Sequence, residues 1–139
     1  MARSVQEIMT HDPVTADVAQ TLVEVARLMR EHDTGAVVVT QSGKARGVVT
    51  DRDIVVRAIA DGRDPADVQA SEICSGEIVT LNPQDRLETA ADTMRRHDVR
   101  RLPVVDGDRV IGIVSLGDLA IERDEDSALA DISAAAPNT

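Results

Sequence analysis

The chain has 139 residues, a formal net charge of −10 and no Phe, Tyr or Trp. Nucleic-acid backbones bind to basic faces and single strands stack on aromatic side chains, so this composition argues against nucleic acid as a partner. The single cysteine, Cys74, allows no internal disulfide. No apolar run reaches the roughly 18 residues of a membrane-spanning helix. We therefore expect a cytoplasmic protein that does not enter the membrane.

An internal duplication organises the sequence. Residues 7–55 align with residues 72–120 without a gap, at a constant offset of 65 that also relates Gly47 to Gly112. Each copy predicts the order β-α-β-β-α. A half of roughly 60 residues buries too little surface to be stable alone. The expected fold is α+β, with two small sheets packed around a pseudo-twofold axis.

The predicted elements of the first copy follow from local signals. Thr21 lies three residues before Glu24, which is the spacing of a capping box and predicts a helix start. A Ser-Gly turn between two apolar runs predicts a β-hairpin. In chain order, we expect a helical turn at 5–9, a brief strand at 14–15, a helix at 21–31, a hairpin of 36–40 with 44–49, and a helix at 51–60.

The second copy predicts the same series. Asp85 lies three residues before Glu88 and is the expected cap of its first helix. We expect a helical turn at 71–74, a strand at 79–80, a helix after Asp85, a hairpin of 102–105 with 109–114, and a helix at 116–123. The domain boundaries are then repeat 1 at 1–64, repeat 2 at 65–123, and an acidic, Ala-rich tail at 124–139.

The helices carry more apolar residues than one buried face requires. Val23 and Leu28 lie off the main apolar stripe of helix 21–31, and helix 51–60 is apolar nearly all round. A helix that is apolar on two faces is usually buried on two faces. We therefore expect a homodimer that forms through the helices.

A hydroxyl residue and an aspartate three positions later open the last helix of each copy, as Thr50 with Asp53 and Ser115 with Asp118. We call these two pairs the tetrads. A helix N-terminus attracts anions, the hydroxyl can donate to a phosphate or ribose oxygen, and the carboxylate can accept two ribose hydroxyls. The same spacing also makes a capping box, which needs no ligand. Both interpretations remain open at this point.

The motifs together resemble the CBS domain, and the pair resembles a Bateman module. The resemblance rests on Glu-Ile-Met-Thr at 7–10, Val-Thr at 14–15, Arg-Arg-Leu-Pro-Val-Val at 100–105 and the two Gly-x-Val-[Thr/Ser]-x-x-Asp runs, and it covers residues 4–123. It implies a non-enzymatic regulatory module for energy or stress sensing. The implied ligand is AMP, ADP, ATP or S-adenosylmethionine, bound in clefts between the repeats, with no cofactor required and an unknown protein as a further partner.

The resemblance also implies the roles of the ligand-binding residues. Thr50, Asp53, Ser115 and Asp118 would hold ribose and phosphate. The walls around adenine would be Ile8, Val14, Ala36 and Val37 in one cleft, and Ile73, Val79, Leu102 and Pro103 in the other. Arg100 and Arg101 are adjacent and can bind phosphate oxygens; the alternative is a solvated, salt-bridged edge. The copies differ, because repeat 1 adds Asp51 where repeat 2 has Leu116 followed by Gly117.

Two other functions compete with ligand binding. One is a ligand-free interaction or scaffold protein in the stress response, in which the tetrads only cap helices. The other is a metal-binding stress protein that uses His32 and His97, although a histidine at a helix end more often serves the helix dipole. Catalytic motifs are absent from the sequence, so we do not expect an enzyme. Cys74 is expected to be a small buried hydrophobe.

Overall fold

The computed structural model describes residues 3–74 and 78–123. The elements of the first repeat are a 3₁₀ turn at Val5–Glu7, β1 at Thr10–His11, β2 at Thr15–Asp17, α1 at Leu22–His32, β3 at Ala36–Gln41, β4 at Lys44–Thr50 and α2 at Asp51–Ile54, which continues as a π-helical turn at Val55–Ile59. Those of the second are α3 at Ala70–Ile73, α4 at Leu87–His97, β5 at Arg101–Asp106, β6 at Arg109–Ser115 and α5 at Leu116–Arg123. The predicted α+β fold with two small sheets is confirmed.

The two sheets each contain three strands, in the orders β2-β3-β4 and β1-β6-β5. Both hairpins are antiparallel, as predicted. Ser42 and Gly43 adopt φ angles of 53° and 81°, the left-handed pair of a tight hairpin turn. Strand β4 lies against β5 and β6, so the two sheets meet through their hairpins.

The repeats exchange their N-terminal segments. Val5 and Met9 are buried in the core of repeat 2, whereas Val68, Ala70 and Ile73 are buried in the core of repeat 1. The backbone contacts that hold the two segments are equivalent at the 65-residue offset. In the first pair of equivalent bonds, Leu22 N donates to Val68 O at 2.9 Å, and Leu87 N donates to Arg3 O at 3.3 Å. In the second pair, Ala70 N donates to Gln20 O and Val5 N donates to Asp85 O, both at 2.8 Å. These matched bonds express the pseudo-twofold relation.

The exchange places the residues of each expected adenine wall on different repeats. Ile8 packs against the core of repeat 2, and Ile73 is buried in the core of repeat 1. Ile8 and Val14 therefore pack against the cores of different repeats, and so do Ile73 and Val79. Each isoleucine belongs to a short segment whose position is set by contacts with the other repeat, which its own sequence does not reveal.

Strand β1 brings a close packing contact to the second sheet. His11 pairs with Gly112 of β6. Met9 lies directly over Gly112, such that a Cβ added to this glycine would be 2.2 Å from the Met9 Sδ atom. Gly112 is therefore glycine because the Met9 side chain occupies the space above it.

Helix α1 begins as predicted and helix α4 does not. Thr21 Oγ1 accepts from Glu24 N at 3.3 Å while Glu24 Oε1 accepts from Thr21 N at 3.0 Å, which completes the capping box. The cap residue of α4 is Arg86, without a side-chain bond, and the prediction of Asp85 was wrong. The Asp85 carboxylate accepts from Asn82 N at 2.9 Å and so closes the preceding turn.

The predicted helix at 51–60 is divided. Its second part is π-helical, with Ala60 N donating to Val55 O at 2.8 Å. Within this turn, Arg57 Nη1 donates to Ile73 O at 2.8 Å and fixes the end of α3. The strand predicted at 79–80 is only a single bridge, between Leu81 and Val104. Of the helices in the described ranges, none has the length and apolar character that a membrane crossing requires.

Candidate functional site

A cleft of about 220 Å³ lies between the two repeats. One wall comes from Gly47 and Val48 of β4, and the other from repeat 2. The residues of repeat 2 that line it are Ile78, Val79, His97, Val99, Arg101, Leu102 and Pro103. The cleft therefore combines an aliphatic surface with two nitrogen-bearing side chains, His97 and Arg101.

The structure brings some of the predicted ligand-binding residues to this cleft. Val79, Arg101, Leu102 and Pro103 all line it. Their repeat 1 counterparts do not: Val37 is fully buried in the core of repeat 1, and Val14 packs against that core. The remaining predicted residues, Arg100 and the two tetrads, do not line the cleft either.

Both tetrads form complete capping boxes. Thr50 N donates to Asp53 Oδ2 at 2.9 Å, and Asp53 N donates to Thr50 Oγ1 at 3.1 Å. The bonds between Ser115 and Asp118 are the same, at 2.9 and 3.0 Å. Each aspartate thus uses one oxygen for capping, and its Oδ1 atom makes no hydrogen bond within the described part of the chain.

The strand register places both tetrads beside the cleft. Ser115 is the cross-strand partner of Arg101, which lines the cleft. Thr50 follows Val48, another lining residue, by two positions, and side chains two apart on a strand share a face. A ligand that extends from the cleft along the end of β6 would reach the Ser115 hydroxyl, and one that extends along the end of β4 would reach the Thr50 hydroxyl.

The two adjacent arginines differ in exposure. Arg101 is half-buried at the cleft, whereas Arg100 is exposed. Neither forms an ion pair with a carboxylate of residues 3–74 or 78–123. Within these ranges, the salt-bridged edge considered from the sequence is not observed.

Five lining residues were missed by sequence reasoning: Gly47, Val48, Ile78, His97 and Val99. His97 was interpreted as a helix-end residue, and it is indeed the last residue of α4. Because α4 ends at the cleft, His97 can both interact with the helix dipole and line the cleft. The signal that was available is the position of His97 three residues before Arg100, at the end of the helix that precedes it.

Cys74 is half-buried against the core of repeat 1. Burial raises the pKa of its thiol above the ordinary value of 9.0, because the thiolate would lose solvation. Cys74 is therefore a protonated thiol at neutral pH. The described residues contain no cluster of three His, Cys, Asp or Glu side chains that could hold a metal ion.

A second, more apolar groove of about 370 Å³ runs between α1 and the π-helical turn. Beside it, Val55, Val56 and Ile59 are 57%, 48% and 50% exposed. Apolar side chains of this size are usually covered. We call this surface the π-turn face.

Comparison with known proteins agrees with the repeat structure. The family model of the CBS domain matches residues 5–59 and 70–125. The chain is 43% identical over 134 residues to the CBS domain-containing protein YhcV of Bacillus subtilis, covering 94% of this chain and 95% of that protein. It is 36% identical over 102 residues to hypoxic response protein 1 of Mycobacterium tuberculosis, covering 73% and 71%.

Two solved structures share the fold. Hypoxic Response Protein I, solved with two coordinated zinc ions, matches with a TM-score of 0.76 and 33% identity, covering 85% of this chain and 97% of that one. The CBS domain pair of protein MJ0100, solved in complex with 5′-methylthioadenosine and S-adenosyl-L-methionine, matches with a TM-score of 0.81 and 24% identity, covering 91% and 100%.

Proposed function

The chain belongs to the CBS domain family, and we propose that it is a non-enzymatic regulatory module that binds an adenosine-containing ligand in the cleft between its repeats. The observation that carries this proposal is the cleft itself, where an aliphatic wall from repeat 2 faces β4 of repeat 1 with Arg101 at its side. A ligand in this position contacts both repeats at once. Binding therefore acts on the relation between the repeats, which is the property that a regulatory module needs.

The size of the cleft suggests how such a ligand is divided. A volume of about 220 Å³ is below the roughly 300–1,000 Å³ of pockets that enclose a whole drug-sized molecule. The purine base would fill the aliphatic part, between Val79 and Pro103. Ribose and phosphate would extend toward Arg101 and Ser115, which are adjacent across the ladder.

Chemistry supports these assignments. The guanidinium of Arg101 can bind two phosphate oxygens at once. Asp118 Oδ1 is free of the capping box and can accept a ribose hydroxyl. The structure of the MJ0100 pair with adenosine compounds indicates that this fold can hold such ligands.

A ligand-free scaffold is the second candidate, and the closed capping boxes favour it. They account for Thr50, Asp53, Ser115 and Asp118 without any ligand. Replacing a capping residue costs about 1 kcal/mol. The two candidates therefore make different predictions for the same aspartate variants, and a ligand titration separates them.

The test is thermal unfolding, followed by far-UV circular dichroism, of the wild type and of Asp118→Ala and Asp53→Ala with AMP, ATP or S-adenosylmethionine. A ligand at one hundred times its Kd stabilises by about 2.7 kcal/mol, which raises Tm by roughly 10 °C in a chain of this size. The matched control is Glu24→Ala, which breaks the capping box of α1 away from the cleft.

The expected result is a ligand-induced rise in the wild type and in Glu24→Ala, and a reduced rise in at least one aspartate variant. All three variants should start from a lower Tm without ligand, since each loses a cap. If no adenosine compound raises the Tm of the wild type, the regulatory proposal fails and the scaffold candidate replaces it.

The π-turn face supports a second part of the proposal, a homodimer. Val55, Val56 and Ile59 project from one helical segment beside the apolar groove. A second copy that covers this face would bury all three side chains. Full burial of an apolar side chain of this size contributes about 1.5–3 kcal/mol. Since each of the three is already about half-buried, covering the rest contributes roughly half of that each.

A further inference from the structure

The two repeats differ in charge at a pair of positions that are equivalent in space. Asp51 N donates to Gly35 O at 3.0 Å in repeat 1, and Leu116 N donates to Arg100 O at 2.8 Å in repeat 2. The same backbone bond thus joins the start of the last helix to the residue before the hairpin. In repeat 1 this bond joins an aspartate to a glycine, whereas in repeat 2 it joins a leucine to an arginine.

The Asp51 carboxylate lies over Gly35. A Cβ added to Gly35 would be 3.1 Å from Asp51 Oδ2 and 3.4 Å from its Cγ. At the equivalent position of repeat 2, this space holds the Cβ atom of Arg100. Asp51 Oδ1 also accepts from Arg52 N at 2.8 Å, which fixes the carboxylate in place.

The next position repeats the contrast. Arg101, at the cleft, corresponds to Ala36 in repeat 1, and each is the cross-strand partner of its own tetrad hydroxyl. Repeat 2 therefore offers two guanidinium groups near its tetrad. Repeat 1 offers no cation at these two positions, and a carboxylate stands where the first would be.

The pseudo-twofold relation gives the surroundings of Arg101 and Ser115 a counterpart at Ala36 and Thr50, which we call the repeat 1 site. We propose that Asp51 keeps phosphorylated ligands out of the repeat 1 site, so that each chain binds one nucleotide rather than two. This inference rests on the proposed function. Asp51 acts as a specificity-determining residue through repulsion of the ligand phosphate. Its charge is exposed to solvent, so removing it should strengthen binding at the repeat 1 site by about five- to tenfold, the Coulomb effect of two charges about 4 Å apart when water screens them fully.

The test is isothermal titration of the wild type, Asp51→Asn and the double variant Gly35→Arg/Asp51→Leu with AMP and with adenosine. Asp51→Asn keeps the shape and removes the charge, and the double variant copies repeat 2. Asp61→Asn, an exposed acid in the linker, is the matched control. Protein is quantified by amino-acid analysis, because the chain has no Tyr or Trp.

We expect one AMP per wild-type chain and per Asp61→Asn chain, and a second AMP in Asp51→Asn and in the double variant. Adenosine carries no phosphate, so its affinity should not change in Asp51→Asn. Two AMP per wild-type chain, or one AMP in all four proteins, would overturn the inference and leave the proposed function standing. Absence of AMP and adenosine binding in every protein would overturn the inference, and the proposed function would then be decided by the ATP and S-adenosylmethionine titrations described above.

Discussion

The contact between Met9 and Gly112 gives a sharp test of the exchanged packing. In Gly112→Ala, the new Cβ would lie 2.2 Å from Met9 Sδ and 2.7 Å from Met9 Cγ, and no real pair of such atoms comes this close. Met9 is almost fully buried. The Met9 side chain must therefore move, and in moving it loses its packing in the core of repeat 2.

The cost follows from the atoms that move. Overpacking a core by a methyl group costs about 1–3 kcal/mol, and exposing a buried methionine costs a similar amount. We expect a loss of about 2 kcal/mol in the free energy of unfolding. With a urea m-value of about 2 kcal/mol/M, the unfolding midpoint falls by about 1 M.

The assay is urea unfolding followed by far-UV circular dichroism. Gly117→Ala is the control, because its Cβ would meet only Ser115 Oγ at 3.6 Å and alanine favours the helix by about 0.5–1 kcal/mol. Adding Met9→Ala to Gly112→Ala should make the combined loss smaller than the sum of the two single losses. A midpoint for Gly112→Ala equal to that of the wild type would refute the proposed contact.

Three further predictions concern other parts of the chain. Because burial raises the pKa of the Cys74 thiol, iodoacetamide at pH 8 should alkylate Cys74 more slowly in the folded protein than in urea, as measured by mass spectrometry; equal rates would contradict its burial. The backbone and side-chain bonds from Thr21 hold the pKa of Glu24 below its ordinary value of 4.5, so this carboxylate stabilises the fold at pH 4.5 and above and stops doing so as the pH falls through the lowered pKa. Urea midpoints of Glu24→Gln should accordingly change less between pH 6 and pH 3 than those of the wild type, and parallel curves would exclude the effect. Ile59→Glu on the π-turn face should convert a dimer of the 14.9 kDa chain into monomers in analytical ultracentrifugation, whereas a monomeric wild type would rule the dimer out.

Local patterns predicted the elements that depend on local interactions. The hairpins were recognisable because Gly43 and Gly107 adopt positive φ angles that their turns require. Helix α1 was recognisable from the pair Thr21 and Glu24, whose reciprocal bonds involve only four consecutive residues. The pseudo-twofold relation followed from the constant offset between the repeats.

Features set by distant contacts were not predictable in the same way. The position of Ile8 and Ile73 depends on which repeat their segments join, and five residues carry too little pattern to decide this. No residue pattern distinguishes the π-helical turn from an α-helix. Arg57 in this turn donates to the carbonyl of Ile73, sixteen residues away. The predicted cap of α4 was wrong because the Asp85 carboxylate accepts a hydrogen bond within the turn before the helix.

The candidate site was partly predictable for the same reason. Sequence reasoning found Arg101, Leu102 and Pro103, since they stand in one recognisable run. It missed Gly47 and Val48, which line the cleft from the other repeat. Residues that line a cleft from the other repeat form no recognisable motif of their own, whereas the run at 101–103 lies within one.

The exchanged segments have a consequence for how such a chain is assembled. Residues 3–9 complete repeat 2 and residues 68–74 complete repeat 1, through the same hydrogen bonds. This is the geometry of a domain-swapped dimer of a single repeat, with its two copies joined by the linker at 61–66. Joining them replaces a second-order encounter by an effective concentration in the millimolar range. A repeat expressed alone would lack its complementary segment and would recover it only from a second copy, so dilution would unfold the separated halves while leaving the intact chain folded.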